Sequence, residues 1–163
     1  MAVAAMAARA HHFLMRNDGV QIVFLRVALA AGFLAALGDR FGFWGQSGTQ
    51  NVAWGDMHHF FEYTAKLNPW FPKSLIPTVG WLATVAEIVL GIALLLGFRT
   101  RISARLSGWL LLAFAAGMTA GTGLKSALNA SVFAASAGAF LLASVRAYPW
   151  SLDARGDKRK ETT

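Results

Sequence analysis

Ionisable residues are sparse along this chain and leave long apolar intervals between them. Asp18 to Asp39 contains only Arg26, and Lys73 to Arg99 contains only Glu87. Arg105 to Lys125 and Lys125 to Arg146 contain none. Each interval supplies the roughly 20 predominantly apolar residues that cross a bilayer as a helix. The pattern predicts an all-α membrane protein, a four-transmembrane-helix bundle, with spans at about 19–38, 76–98, 102–122 and 126–146. Asn17 and Asp18 are placed to cap the first of them. The turn around Gly121, Gly123 and Lys125 is so short that the last two spans must be antiparallel neighbours.

The connection 39–75 is the one long loop, and it is rich in aromatic residues. Gly42, Gly45 and Gly48 mark turns in its first half. In the second half Met57, Phe60, Phe61, Thr64 and Leu67 recur at helical spacing, with Asp56 as N-cap and Asn68-Pro69 as terminator. His58, His59, Glu62 and Lys66 fall on the other flank. This predicts an amphipathic outer-surface helix between the first two spans.

Small residues recur on single faces of the later spans: Gly80, Ala83, Thr84 and Gly91, then Gly108, Ala115 and Thr119, then Ser131, Ala134, Ala135 and Gly138. Such stripes let helices approach closely in lipid, where hydrophobicity alone drives no association.

Composition agrees with the pattern. Only 14% of the 163 residues are charged, against about a quarter in soluble domains. There is no cysteine, so the chain itself carries no disulfide, thiolate metal site or dithiol relay. The N-terminal segment 1–16 holds Arg9, Arg16, His11 and His12. Arg26 interrupts the apolar core that a cleaved signal peptide would need intact, so the first span is expected to stay. The tail 147–163 is polar and basic at its end.

The net charge of +7 does not sit on one soluble module and does not indicate nucleic acid. It reads as topology. With the N-terminus inside, ten Lys and Arg residues face the cytoplasm and four face out, namely Arg40, Lys66, Lys73 and Lys125. Both termini are then cytoplasmic.

The candidate chemistry is the pair of intramembrane ions. A lone charge at mid-bilayer costs about 2.5–3.5 kcal/mol even on a lenient scale. Arg26 lies about 12 Å past Asp18, and Glu87 about 16 Å from Phe98, at the helical rise per residue. Both distances run from the cytoplasmic side, so the two are expected to face each other inside the bundle, with Thr84 or a water between them. One point opposes a direct bridge. Side chains lean toward the N-terminus of their own helix, which carries Arg26 and Glu87 apart. Two roles fit the pair: a neutralised pin that sets helix register, or a polar cavity that binds a head group or relays protons.

Weaker candidates follow. His58 and His59 are adjacent, and neighbours on a helix point about 100° apart, so no metal is expected there. Asn129 is placed to hydrogen-bond across helices, and Lys125 to reach the interface.

These residues resemble a known family. Arg26-Val-Ala-Leu-Ala-Ala-Gly-Phe33, with Gly38-Asp39-Arg40 after it, is similar to the first-helix pattern of the DoxX family. The run from Ala86-Glu87-Ile88 through Gly91 and Gly97 to Arg99 and Arg101 resembles its second-helix signature, and Ser151-Leu152-Asp153 its ending. The chain departs in its longer aromatic outer loop. The resemblance implies a four-helix protein of the bacterial cytoplasmic (inner) membrane. Some relatives are subunits of thiosulfate:quinone oxidoreductase, and many have no assigned activity. Lacking cysteine and any haem, flavin or iron–sulfur motif, such a chain would depend for electron transfer on a quinone or on another membrane or redox subunit. The other function class is a non-enzymatic scaffold that docks a membrane partner. A small-molecule or proton carrier is a third, with no inverted repeat to support it.

Overall fold

The structure, a computed structural model, describes the backbone of residues 2–154 and the side chains from residue 19 onward. The charges expected in the tail, Arg155, Lys158, Arg159 and Lys160, lie outside the described residues. So do the side chains of Arg9, His11, His12, Arg16, Asn17 and Asp18.

Helices account for most of it: α1 (Ala2–Arg40), α2 (Met57–Leu67), α3 (Ile76–Leu96), α4 (Thr100–Thr122), α5 (Leu124–Asn129) and α6 (Val132–Ser144). No strand occurs among the described residues. Three stretches are long and apolar enough to cross a membrane: Gly19–Arg40, Lys73–Leu96 and Thr100–Thr122. Large apolar side chains such as Phe24, Leu82, Val89, Trp109 and Leu141 stand exposed along these helices and α6. That is the disposition of a multi-pass protein whose outer face meets lipid rather than water.

Two expectations about helix ends are revised. The first helix does not start at Asn17-Asp18; its backbone is already helical from Ala2. The fourth span, expected at 126–146, is not one helix. It breaks at Ala130–Ser131, where Ser131 takes a left-handed φ of 55°, and α6 has only 13 residues. At the helical rise those residues cover about 20 Å, short of a hydrocarbon core of about 30 Å. The break falls on Asn129-Ala130-Ser131, whose polar side chains are weak helix formers that favour turns.

Packing follows the small residues. The helices α1, α3, α4 and α6 form a ring, each touching the next, while α2 lies across one end on α3 and α4. A Cβ added at Gly108 of α4 would stand 2.7 Å from the Phe140 ring of α6, and the buried Ser136 hydroxyl donates to the Gly108 carbonyl at 2.8 Å. That contact is both a close helix approach and a polar tie within the apolar layer. On the other side Gly91 of α3 lies against Phe33 of α1. This fixes the axial register of the two helices that carry the ionisable residues.

α2 is amphipathic as its spacing requires. Phe60, Thr64 and Leu67 are buried, while His58, His59, Glu62 and Lys66 are exposed. Asp56 caps it, its Oδ1 accepting from the His59 amide at 2.9 Å. The same carboxylate's other oxygen lies 2.8 Å from His59 Nδ1. These two bonds, the backbone one first, hold the Asp56 carboxyl below the usual carboxylate range.

Candidate functional site

The site forms where the C-terminus of α1, the underside of α2 and the middle of α3 meet. Glu87 is buried, at 1% exposure. Its partner is not Arg26. Arg40 Nη2 donates to Glu87 Oε1 at 2.7 Å, and Arg40 Nη1 donates to Thr84 Oγ1 at 3.0 Å. The Thr84 hydroxyl donates in turn to the Gly80 carbonyl at 2.8 Å. The guanidinium lies over the Phe60 ring at 3.8 Å and within 5.2 Å of the Trp54 ring. The cation is thus held by a carboxylate, a hydroxyl and two aromatic faces, which together replace the water it has lost.

Axial register explains why Arg40 holds this place. Gly91 packs on Phe33, so Glu87, one turn nearer α2, is level with about Leu37 of α1. Arg26 is eleven residues from Leu37, about 16 Å along the axis. Arg40 is three residues beyond Leu37, and its side chain leans back toward the N-terminus of α1. Glu87, on an antiparallel helix, leans toward the same level from the other direction. The lean that separates Arg26 from Glu87 brings Arg40 to it. Sequence reasoning passed over Arg40 because it stands in the outer loop's charge count. The signal was present in that lean and in the reach of a long basic side chain at a helix end.

The loop after α1 holds Arg40 in position. Asp39, also buried, accepts the amides of Ala53, Trp54 and Gly55 at 2.8, 3.0 and 2.8 Å. Gly55 has a φ of 76° and comes so close to Ser47 and Gln46 that a side chain would not fit. The tied loop delivers Trp54 onto Arg40 and Phe60.

A cavity of about 1180 Å³ opens from this pair between α1, α3, α4 and the α5–α6 break. Its walls are chiefly apolar, with Leu29, Phe33, Leu82, Phe114 and Met118 among them. The polar groups gather at the α2 end: Arg40, Glu87, Trp54, Tyr63, Thr64 and Asn68. Burial pushes the Tyr63 phenol up from its usual range, so it stays a neutral hydroxyl. Two polar atoms of the pair have no hydrogen-bond partner among the described residues, Glu87 Oε2 and Arg40 Nε. Buried polar atoms are normally paired; both of these are closed off by the side chains packed around them.

Arg26 has another role at the opposite end. It donates to the Pro149 and Trp150 carbonyls at 3.3 and 2.7 Å, and it packs close to Gly97, whose φ is 67°. Asp153 joins the same knot, accepting the amides of Arg99 and Thr100 at 2.8 and 2.7 Å. Arg26 therefore ties the segment after α6 to α1 and the α3–α4 turn.

The weaker candidates also resolve. His58 and His59 do not diverge as expected. Their ring centroids are 5.8 Å apart, and with Asp56 they bring ligand-type atoms within 4.8 Å of one another. The cluster faces solvent, and Asp56 is already engaged as the cap. Asn129 ends α5 at the break and makes no side-chain hydrogen bond across helices among the described residues. No family model, curated protein or solved structure matches this chain, so what it does rests on the site's own geometry.

Proposed function

We propose that this chain is a DoxX-like, multi-pass protein of the bacterial cytoplasmic membrane that binds a quinone-class lipophile as a membrane subunit of a redox system. The observation that carries this reading is the cavity of about 1180 Å³ ending on the Arg40–Glu87 pair. Drug-sized pockets run to about 1,000 Å³, so this one has room for a ring head and part of an apolar tail. Its layout is that of such a molecule, with apolar walls along the helices and polar groups gathered at one end. The Lys and Arg count favours α2 and the pair on the outer side and Arg99 and Arg101 in the cytoplasm. On that reading the head group sits near the outer leaflet.

The test is extraction of the protein purified in native lipid and mass spectrometry of what it holds. Near-stoichiometric quinone in the wild type, reduced severalfold by Arg40→Leu, supports the proposal. Only bulk phospholipid, in membrane proportions, refutes it. The scaffold alternative rests on the exposure of Phe43 and Trp44 at the same end. It expects a stable complex with another membrane protein that Glu87→Gln leaves intact.

A further inference from the structure

Resting on the proposed reading of the cavity, we infer that the site opens sideways to the lipid between α1 and the α5–α6 break. Its ligand then keeps a long apolar tail in the bilayer while its head lies inside. The inference comes from where the cavity wall is bare. Leu29 and Phe33 of that wall are buried, whereas Ala28 and Gly32, one turn apart on α1, line the cavity and are also exposed. A residue that does both stands at a mouth. A Cβ added at Gly32 would meet no atom within 4 Å. On the facing side Ala130, at the break, is likewise exposed and part of the wall.

The mouth follows from the broken helix. α6 does meet α1 nearer the Arg26 end, where a Cβ added at Gly138 would stand 3.3 Å from Leu25 Cδ1. From that contact toward α2, α6 extends only to Val132 before the chain turns off at Ser131. The seam between the two helices is therefore closed at one end and open at the other. No rim side chain among Ala28, Gly32 and Ala130 is larger than a methyl group or polar, so the opening suits hydrocarbon and not a polar head. Leu82 of α3 and Ala113 of α4 are also exposed in the wall, but Leu82 carries a full side chain there. Length decides what the mouth is for. The lining runs along α1 from Leu25 to Arg40, about 22 Å at the helical rise. A decyl tail lies within that length. A decaprenyl tail is far longer and is held only by passing out through the wall.

The experiment loads the full-length protein, in lipid nanodiscs, with decyl-ubiquinone or ubiquinone-10 at equal mole fraction and reads bound quinone by native mass spectrometry. The wild type is expected to hold the two to a comparable occupancy. Gly32→Trp fills the mouth at a position where nothing crowds the new side chain. It is expected to cut ubiquinone-10 occupancy at least tenfold and to affect the decyl compound much less. Ala113→Trp, on the α3–α4 side, should leave both unchanged. A wild type that takes decyl-ubiquinone but excludes ubiquinone-10 overturns the inference and leaves the lipophile site standing; this comparison needs no variant to fold. Equal loss of both quinones in Gly32→Trp, loss of neither, or a loss found in Ala113→Trp instead also overturns it. Binding of neither quinone to the wild type overturns the proposed function and the inference with it.

Discussion

The ion pair between Arg40 and Glu87 allows a double-mutant test whose outcome follows from burial. The two side chains are 3% and 1% exposed and 2.7 Å apart. At an effective dielectric of about 20 their Coulomb attraction is about 6 kcal/mol, and most of it offsets the cost of removing both charges from water. Breaking the pair from one side leaves the other charge buried and alone, which costs about 3–5 kcal/mol. Arg40→Leu and Glu87→Leu should each be destabilising by about that much. The double variant removes both charges at once, so it should cost far less than the sum. Its residual cost is the lost stacking on Phe60, about 2 kcal/mol for a desolvated cation. A coupling of at least about 2 kcal/mol is then expected between the sites. The assay is reversible unfolding in mixed micelles, followed by circular dichroism for the wild type, both single variants and the double. Arg26→Leu in the same series should show no coupling to Glu87→Leu, since it lies about 16 Å away. Additive losses at Arg40 and Glu87, or single losses below about 1 kcal/mol, would refute the reasoning.

Other consequences are checkable separately. Arg26→Gln removes one charged donor from the Pro149 and Trp150 carbonyls. It should cost about 1.5–3 kcal/mol and raise amide exchange over 147–154, with ligand binding at the cavity unchanged. Gly108→Val drives a side chain into the Phe140 ring and should destabilise by about 1–3 kcal/mol, visible as a lowered melting temperature. The Asp56 cap gives a pH dependence with a defined sign. Its carboxyl is depressed in the folded state, so the contribution is whole above the unfolded pKa and fades as pH falls through the lower folded value. Exchange at the first turn of α2 should quicken on acidification through the carboxylate range. In Asp56→Asn, which keeps a capping oxygen without the charge, that dependence should disappear.

Much of the helical layout was legible because it is written in local periods. α2 shows this best: Asp56, the Met57–Leu67 spacing and Asn68 mark its cap, buried face and end, and each depends only on neighbours within a turn or two. The apolar intervals likewise marked three long helices, since bilayer length is a one-dimensional quantity. The break at Ser131 was passed over because the interval from Lys125 to Arg146 holds no ionisable residue, although Asn129 and Ser131 stand within it as weak helix formers. Arg26 misled because Asp18 and Phe98 were taken as one level, whereas it is Arg26 itself that stands level with Gly97 at the end of α3.

The sequence by itself determined that this is an apolar, all-helical chain with one aromatic surface helix and a carboxylate too deep in an apolar span to be incidental. Which cation answers Glu87 was decided only by the tertiary structure. Pairing across two antiparallel helices depends on their axial offset. That offset is set by where Gly91 meets Phe33 and by the loop that Asp39 ties to Ala53, Trp54 and Gly55. The cavity has the same origin. It exists in the space between helices, and no stretch of chain contains it.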